Sequence, residues 1–286
     1  MGDVEMLTGD VLVLAGRGKT GRRVAERLRR KGLGVRAASR SGAGPERFDW
    51  DDKSTWDAAL HGARAVYLVP REAANPEGAP LVAEFAARAV EAGAERLVLL
   101  SAFSYPDATG PVEEAVRKAG ARQWTVLRPT WFAQNFSEDF LRDPVRAGEV
   151  RMPEGEGAVP FVDAEDIADA AVAALTGPPE RHHAQEYGLT GPRALTFREG
   201  VAAIARATGR DLRYVPVPEE EYAASLHAAG VPADTAHLML DILRPALRGA
   251  LSTTANGVHE SLSRPPRDFT QYVNTTAREG GWGGVG

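Results

Sequence analysis

The stretch that decides the fold is Val11-Leu12-Val13-Leu14-Ala15-Gly16-Arg17-Gly18-Lys19-Thr20-Gly21. Its first five residues form an apolar run that stops at glycine, which is typical of a strand buried on both faces of a sheet. Gly16, Gly18 and Gly21 match the pattern G-x-G-x-x-G, whose glycines allow a tight turn, close approach of the backbone to a pyrophosphate and close packing of helix on strand. A helical pattern follows, so unpaired N–H groups at the start of that helix would face the phosphates. We therefore interpret the stretch as a dinucleotide-binding turn rather than as a glycine-rich turn with a structural role only.

Short apolar runs and helical patterns alternate through the first half of the chain. Val24, Ala25 and Leu28 recur at helical spacing, and Gly32 ends that helix. A short strand is also expected immediately before Phe48. The further predicted strands are 34–38, 65–69, 97–100 and 125–128, and the further predicted helices of this half are 80–92 and 112–119. Strands that alternate with helices at this spacing are joined by right-handed crossovers, so we predict an α/β fold with a doubly wound parallel sheet.

The second half of the chain has a less regular pattern. Thr196 followed by Glu199 forms a capping box at the start of a predicted helix. Residues 142–157 are rich in glycine, proline and charge and are predicted to be a long loop. His182 and His183 are predicted to be an exposed, solvated pair rather than a metal site. The predicted helices of this half are 164–175, 197–208, 219–229 and 234–247.

Composition excludes several classes of function. The chain of 286 residues has 34 Lys and Arg against 39 Asp and Glu, a net charge of −5, and no cysteine. Without cysteine it can form no disulfide, thiol nucleophile or cysteine-ligated metal centre. The acidic balance argues against nucleic acid as a partner, because phosphate binding needs clustered positive charge. No apolar run is long enough for a transmembrane helix, and the acidic N-terminus is unlike a secretory signal, so we expect a soluble, cytoplasmic protein without a membrane partner.

The residues after the second predicted strand select between NAD and NADP. An NAD site carries Asp or Glu there, which binds the ribose 2′-hydroxyl. This chain has Ser39 and Arg40 instead, and Arg17 and Lys19 add positive charge in the glycine turn. A guanidinium can bind a 2′-phosphate through two parallel bonds, whereas a carboxylate would repel it. We therefore predict NADPH as the cofactor, with NADP preferred over NAD; the alternative is that Arg40 is a solvated loop residue.

The adenine end and the strand ends supply further candidates. Asp49 is placed to accept a bond from the adenine amino group, with Trp50 flanking the base, although the spacing fits a solvated acidic turn equally well. Val69-Pro70 and Ser101 follow the carboxyl ends of strands, where such sheets bind ligands. The predicted cofactor-binding residues are Gly16, Arg17, Gly18, Lys19, Thr20, Gly21, Ser39, Arg40, Asp49, Trp50, Val69, Pro70 and Ser101.

Several motifs together resemble one family. They are the glycine turn extended to Val24, Phe48-Asp49-Trp50, Leu127-Arg128-Pro129-Thr130-Trp131-Phe132-Ala133-Gln134-Asn135-Phe136, 161–168, 189–192 and 264–269. On these residues the chain is similar, over nearly its whole length, to the NmrA-like branch of the atypical short-chain dehydrogenase/reductase superfamily. Within that branch it resembles bacterial relatives of the ergot-alkaloid festuclavine and agroclavine dehydrogenases, and the NAD(P)H:quinone reductases.

The resemblance implies two domains. An NAD(P)-binding Rossmann domain would span residues 8–155, and a smaller, mainly helical substrate lobe would span 156–279, with some of its segments returning to the Rossmann sheet. The resemblance further implies a substrate pocket lined by Phe103, Trp131, Phe132 and Asn135; core packing is the alternative for Trp131 and Phe132. Residues 280–286 are predicted to be a disordered tail, because glycine loses much entropy on ordering and buries little.

The proton donor is where the chain departs from the superfamily. The superfamily uses Tyr-x-x-x-Lys, in which lysine prepares the tyrosine for proton transfer. Here Tyr105 is followed by Thr109 in the position of the lysine. Tyr105 is the catalytic candidate, with an ordinary loop tyrosine as the alternative. Hydride addition to a charged iminium ion needs no strong protein acid, so the protein would supply position and a dry pocket.

These inferences predict an NADPH-dependent reductase of a small unsaturated substrate, preferably a cyclic imine or iminium ion, with a role in secondary metabolism. A quinone reductase is one alternative. A non-catalytic NAD(P)-sensing protein that regulates a partner is another, and an epimerase or isomerase with tightly held cofactor is a third. The expected partners are a small-molecule substrate and, as a candidate assembly, a second copy of the chain in a homodimer.

Overall fold

The computed structural model describes residues 9–71, 75–103 and 106–283. The strands are β1 (Asp10–Val13), β2 (Val35–Ala37), β3 (Ala63–Leu68), β4 (Arg96–Leu100), β5 (Gln123–Pro129), β6 (Glu149–Pro153), β7 (Ala158–Val159), β8 (Gln185–Leu189), β9 (Leu195–Thr196) and β10 (Arg213–Val217). The helices are α1 (Gly21–Arg30), α2 (Trp56–Leu60), α3 (Ala79–Glu91), α4 (Pro106–Arg117), α5 (Asn135–Glu138), α6 (Arg142–Ala147), α7 (Ala164–Thr176), α8 (Pro179–His182), α9 (Phe197–Thr208), α10 (Glu219–Ala228), α11 (Ala233–Leu247), α12 (Gly257–Leu262) and α13 (Phe269–Arg278). None of the helices within the described ranges has the length and apolar character needed to span a bilayer.

The chain divides into two compact units. Unit 1 comprises Met1–Pro129, Ala164–Leu189 and Ala255–Pro265. Unit 2 comprises Thr130–Asp163, Thr190–Thr254 and Pro266–Gly286. Each unit is therefore assembled from three separate segments of the chain.

Unit 1 is built on a parallel sheet, which has six strands in the part of the chain that the structure describes, in the order β2-β1-β3-β4-β5-β8. In its register Val11 pairs with Val35 on one side and with Ala65 on the other. From β1 the chain goes to β2 on one side, and after β2 it crosses over to place β3 on the other side of β1. This reversal creates a switch point at the carboxyl ends of the strands, where open α/β sheets bind ligands. The predicted α/β fold with a doubly wound, Rossmann-type parallel sheet is confirmed.

A close-packed apolar core supports the strand that carries the glycine turn. Leu12 of β1, Val66 of β3 and Leu97 of β4 lie side by side in the register, and all three are fully buried in one apolar cluster that also contains Phe85 of α3. Burial of each such side chain contributes about 1.5–3 kcal/mol. The carboxyl end of β1, and with it the start of the turn, is therefore held on a rigid element.

The strand expected immediately before Phe48 does not form. Ser39 and Arg47 make an isolated parallel bridge, and Gly44–Glu46 between them make a single 3₁₀ turn. Pro45 has no N–H to donate to a ladder, so the pairing cannot extend. Phe48 is nevertheless buried at 4 % exposure. The prediction of a strand is wrong here because one buried aromatic residue does not make an apolar run.

Unit 2 contains two small sheets and the predicted capping box. β6 pairs in parallel with β10, and β7 pairs with β9 antiparallel. At the start of α9 the Thr196 hydroxyl accepts a bond from the Glu199 N–H (3.1 Å), and the Glu199 carboxylate accepts one from the Thr196 N–H (2.8 Å). The capping box that the sequence predicts is confirmed.

Residues 142–157 are not the long loop that their composition suggests, because they contain α6 and β6. Gly148, with a φ of +90°, ends α6 in the left-handed conformation that glycine adopts readily. Val150 and Met152 are buried while Arg151 is exposed, which is the period-two alternation of a strand. The alternation spans too few residues to stand out against the surrounding charge, glycine and proline.

The prediction of a disordered tail over residues 280–286 is wrong for Trp282. Its side chain is 2 % exposed, and its indole Nε1 donates to the Phe136 carbonyl at 2.6 Å. Tyr272 of α13 packs edge-to-face against it, with ring centroids 6.1 Å apart. A large aromatic side chain with a satisfied N–H offsets the ordering entropy of the glycines around it. Residues 284–286 lie outside the described residues.

His182 is buried rather than exposed. It is 3 % exposed, and its Nδ1 lies 3.1 Å from the Tyr187 hydroxyl. Its carbonyl accepts a bond from the Thr125 hydroxyl at 2.7 Å. Burial lowers the pKa of the His182 imidazole to about 4, so the ring is neutral at ordinary pH. The predicted exposed pair is therefore wrong for His182, whereas His183 is exposed.

Candidate cofactor-binding site

The glycine turn leaves β1 at Ala15, which is in the left-handed conformation with a φ of +50°. The Gly18 N–H donates back to the Ala15 carbonyl at 2.7 Å and closes the turn, and the Gly16 N–H donates to the Ala38 carbonyl at 2.9 Å. A left-handed conformation costs a residue with a Cβ about 1 kcal/mol or more. The sharp reversal predicted for this segment is thus made at an alanine and not at one of the three motif glycines.

Close packing explains why glycine is required at the motif positions. A Cβ on Gly16 would lie 2.6 Å from the Ala37 carbonyl carbon, and one on Gly21 would lie 2.2 Å from the Ala15 oxygen. At Gly18 the corresponding distance to the Ala15 oxygen is 3.1 Å. Side chains at Gly16 and Gly21 would push β1, β2 and α1 apart. The glycines keep the backbone bare where the turn meets its neighbours, as a pyrophosphate site needs.

The start of α1 suits an anion. Thr20 is the N-cap and makes no side-chain cap bond, and the first turn of the helix carries no acidic residue. The N-terminus of a helix has unpaired N–H groups and the positive end of the helix dipole. A phosphate group at this position would satisfy both.

A cavity of about 600 Å³ in unit 1 lies against the turn and the neighbouring strand ends. It is lined by residues from three places, the glycine turn, the segment after β2 and the segment after β3: Ala15, Arg17, Gly18, Ser39, Arg40, Ser41, Phe48, Asp49, Trp50, Asp51, Val69, Pro70 and Arg71. Most residues of the predicted cofactor set are therefore brought together around one space. The predicted residues Gly16, Lys19, Thr20 and Gly21 belong to the adjoining turn and do not line this cavity.

The groups that could hold a phosphate gather after β2. Arg40 is exposed and has no hydrogen-bond or ion-pair partner among the residues that the structure describes. The Ser39 hydroxyl oxygen is buried and likewise lacks a hydrogen-bond partner within the described part of the chain. Arg17 donates to the Ser41 hydroxyl at 2.9 Å, which directs its guanidinium toward the same segment. Two guanidinium groups and an unsatisfied hydroxyl fit the 2′-phosphate of NADPH.

One wall of the cavity contains aromatic side chains and is fixed by hydrogen bonds. Trp50 packs edge-to-face on Phe48 at 5.1 Å between centroids, and its Nε1 donates to the Val69 carbonyl at 3.0 Å. Asp49 is held by its backbone: its carbonyl accepts a bond from Trp56 Nε1 at 2.9 Å. One carboxylate oxygen of Asp49 accepts the Asp51 N–H at 3.1 Å, which leaves acceptor capacity for an amino group. The wall fits a flat heterocycle such as adenine.

Five lining residues lie outside the predicted cofactor set: Ala15, Ser41, Phe48, Asp51 and Arg71. The Arg71 Nη1 donates to both carboxylate oxygens of Asp51, at 3.0 and 2.9 Å, and both side chains are about two-thirds exposed. Each of the five is the chain neighbour of a residue in that predicted set. Their adjacency to those residues was the available signal.

Ser101 has a different environment from the rest of the predicted cofactor set. It is 3 % exposed, does not line the cavity, and donates to a Glu113 carboxylate oxygen at 2.7 Å. Glu113 is 1 % exposed and also accepts a bond from Arg128 Nε at 2.8 Å. Burial opposes ionisation of Glu113, but the bonds from Arg128 and Ser101 hold its pKa below the ordinary value. The Ser101 hydroxyl is therefore already committed to a buried ion pair.

The predicted substrate residues lie in both units. In unit 1, Phe103 is half-buried, and its N–H donates to the Pro129 carbonyl at 2.9 Å. In unit 2, Trp131 is half-buried and packs edge-to-face on Phe197 at 5.5 Å. Phe132, also half-buried, forms a bridge with Val162, and Asn135 is the first residue of α5.

The predicted proton donor Tyr105 lies outside the described residues, so its role stays a prediction. Thr109, which stands in the place of the superfamily lysine, is on α4 and is 1 % exposed. Within the described ranges, no group of three or more His, Cys, Asp or Glu side chains is arranged to hold a metal ion.

The chain is similar in sequence and in fold to known proteins. The model of the NmrA-like family matches residues 8–244. An uncharacterized oxidoreductase of Bacillus subtilis is 35 % identical over 279 residues, which cover 94 % of this chain and 95 % of that protein. An agroclavine dehydrogenase of Claviceps fusiformis is 32 % identical over 284 residues, covering 92 % and 96 %. The crystal structure of a Citrobacter sp. triphenylmethane reductase complexed with NADP(H) has the same fold, with a TM-score of 0.72 at 20 % identity over 93 % of this chain and 99 % of that chain. The resemblance predicted from the motifs is confirmed, and the chain belongs to the NmrA-like family.

Proposed function

We propose that the chain is an NADPH-dependent oxidoreductase that reduces a small unsaturated substrate by hydride transfer, with a cyclic imine or iminium ion preferred. One observation carries the cofactor assignment. The cavity beside the glycine turn presents, immediately after β2, the Arg40 guanidinium and the Ser39 hydroxyl, neither of which has a partner in the part of the chain that the structure describes. An NAD site would have a carboxylate at that place.

The roles of the cofactor residues follow from their positions. The backbone of Gly16, Gly18, Lys19, Thr20 and Gly21, with the start of α1, binds the pyrophosphate. Arg40, Ser39 and Arg17 bind the 2′-phosphate, Asp49 and Trp50 contact the adenine, and Val69 and Pro70 complete the wall. When bound, NADPH supplies the hydride, and the chain supplies position and exclusion of water.

The substrate assignment rests on the chemistry of the remaining residues. Thr109 cannot replace a lysine as a positive charge that prepares a tyrosine for proton transfer. A substrate that is already cationic, such as an iminium ion, accepts hydride without a strong protein acid. The agroclavine dehydrogenase at 32 % identity supports a substrate of the ergot-alkaloid kind. We assign the shaping of the substrate site to Phe103, Trp131, Phe132 and Asn135, and proton donation, where a substrate needs it, to Tyr105.

Each unit then has its own task. Unit 1 contains the cavity, the glycine turn and the sheet, and we assign cofactor binding to it. Unit 2 contains the half-buried aromatic residues of the Trp131–Asn135 segment, and we assign substrate specificity to it.

Two measurements test the proposal. Titration of the purified chain with NADPH and with NADH, followed by tryptophan fluorescence because Trp50 lines the cavity, should give a Kd for NADPH at least about tenfold lower. Equal values, or tighter NADH, would refute the cofactor assignment. NADPH consumption is then measured with cyclic imines and with quinones. Turnover of imines supports the substrate class, turnover of quinones alone makes the chain a quinone reductase, and tight NADPH binding without turnover of either makes it a sensor.

A further inference from the structure

The first turn of α1 is positively charged. It carries Arg22 and Arg23 and no acidic residue, although the start of a helix normally favours negative charge. The Arg23 side chain does not extend into solvent, being 13 % exposed. Its Nη1 donates to the Lys19 carbonyl at 2.8 Å, inside the glycine turn. Arg23 therefore bonds back to the loop that precedes its own helix.

Glu165, in the first turn of α7, fixes Arg23 from the other side. Its Oε1 accepts a bond from Arg23 Nε at 2.5 Å, and its Oε2 accepts one from Arg27. Planar guanidinium groups form such bonds with a defined direction, so the side chain of Arg23 is held in one orientation. Within unit 1, Arg23 therefore connects α7 to the glycine turn.

The bond to the Lys19 carbonyl has a consequence for the next N–H group. The Lys19 carbonyl and the Thr20 N–H belong to one planar trans peptide, in which they point in opposite directions. An arginine that holds the carbonyl on one side therefore directs the N–H to the other. Thr20 is the N-cap of α1, the position at which the proposed function places a phosphate.

We propose that Arg23 and Glu165 are positioning residues for the cofactor: they fix the Lys19–Thr20 peptide and so preset the turn for the pyrophosphate. The proposal rests on the proposed function of unit 1 and adds two residues that do not line the cavity. Neither residue touches the cofactor in this role, because Arg23 acts through the peptide and Glu165 acts through Arg23.

Arg27 provides a matched control. It lies one helical turn further along α1, is 15 % exposed, and pairs with Glu165 and with Asp169 on α7. The Arg27 guanidinium donates to the main-chain carbonyl of Arg23, which lies within the helix and not in the glycine turn. Arg27→Gln removes the same charge and loosens the same two helices while leaving the Lys19 carbonyl bonded.

The variants Arg23→Gln, Arg23→Lys, Glu165→Gln and Arg27→Gln are compared in the full chain for thermal unfolding and for the Kd of NADPH. We expect Arg23→Gln to raise the Kd about tenfold, Arg23→Lys and Glu165→Gln to raise it less, and Arg27→Gln to change it less than about twofold at a similar loss of Tm. In Arg23→Gln, kcat at saturating NADPH should be unchanged, and the substitution should act by raising the KM for NADPH. An equal rise in Kd for Arg23→Gln and Arg27→Gln would overturn the proposal, since helix docking alone would then explain it.

A second readout separates this proposal from the proposed function. Amide hydrogen exchange of residues 18–20 is followed in protein without cofactor. Exchange should be faster in Arg23→Gln than in Arg27→Gln, and equal rates would refute the positioning role. Failure of the natural chain to bind NADPH would refute the proposed function instead, without affecting the exchange result.

Discussion

Replacement of Arg40 by alanine tests the cofactor assignment with little risk to the fold. Arg40 is exposed and has no hydrogen-bond or ion-pair partner within the described residues. A surface substitution of this kind changes the free energy of unfolding by about 0.5 kcal/mol or less. Any larger effect on NADPH binding therefore reports on the nucleotide and not on damage to the protein.

The expected size of the effect follows from the neighbouring charges. A hydrogen bond to a charged group is worth about 1.5–3 kcal/mol, which corresponds to about 10- to 150-fold in Kd. Arg17, held by the Ser41 hydroxyl at 2.9 Å, remains in the Arg40→Ala variant and keeps part of the positive field. We therefore expect the lower part of that range, about 10- to 30-fold weaker NADPH binding. NADH lacks the 2′-phosphate, so its Kd should change less than about twofold.

The assay compares the Kd of NADPH and NADH for the natural chain, Arg40→Ala and Arg71→Ala. Arg71 lines the same cavity but is paired with Asp51, so its loss should affect both nucleotides alike. A selective loss of NADPH affinity in Arg40→Ala identifies the 2′-phosphate ligand. If Arg40→Ala weakened both nucleotides equally, or neither, the assignment of this residue would be refuted.

Three further predictions concern residues away from the nucleotide phosphate. Trp282→Ala should lower the free energy of unfolding by about 3–5 kcal/mol and Trp282→Phe by much less, measured by urea denaturation; an unchanged midpoint would mean a disordered tail. Gly188→Ala would place a Cβ 2.8 Å from the Phe103 ring, so we expect the free energy of unfolding to fall by about 1–3 kcal/mol. If Phe103 binds substrate, the variant should also have a higher KM for the substrate and an unchanged Kd for NADPH. The pKa of His182 is lowered from 6.5 to about 4, so between these pH values the unfolded chain takes up a proton that the folded chain does not. The free energy of unfolding should therefore fall by about 3 kcal/mol as the pH drops from 6.5 to 4. His182→Gln should flatten this pH dependence; an unchanged slope would show that other groups cause it.

Local patterns predicted the strands β1 to β5 of the sheet but not β8, and not every helix end. The apolar runs of β1, β3 and β4 have no solvated face, which is why they were recognisable as strands buried on both sides; they stop at Gly16, Pro70 and Ser101. Helix α4 begins at Pro106, six positions before the predicted start at Val112, and contains Pro111 within it. A proline normally ends a helix, so the pattern favoured a start after Pro111. Contacts with the rest of unit 1 decide such a boundary, and they are not visible in a local window.

The lining of the cavity was predictable where a residue's place after a strand decides its position, and not where a side chain is bonded to another element. Ser39 and Arg40 were identified from their place after β2, and they line the cavity. Ser101 has the same relation to β4, yet its hydroxyl is bonded to Glu113, twelve residues away. The rule that ligands lie at strand ends gives the location of a side chain but not whether another group already occupies its hydrogen bond.

The glycine turn shows that a motif can predict the correct local structure although the physical cause differs from the one assumed. The usual argument assigns the first glycine to the tight turn, yet here Ala15 takes the left-handed conformation, and Gly16 is needed because Ala37 approaches within 2.6 Å of its Cβ position. Gly21 is likewise needed because of the Ala15 oxygen. Both constraints exist only after β2 and α1 have packed against β1, so the spacing of the motif records tertiary contacts rather than backbone freedom. An alanine at position 15 is then tolerated at a cost of about 1 kcal/mol, whereas an alanine at position 16 or 21 would separate the elements that form the site.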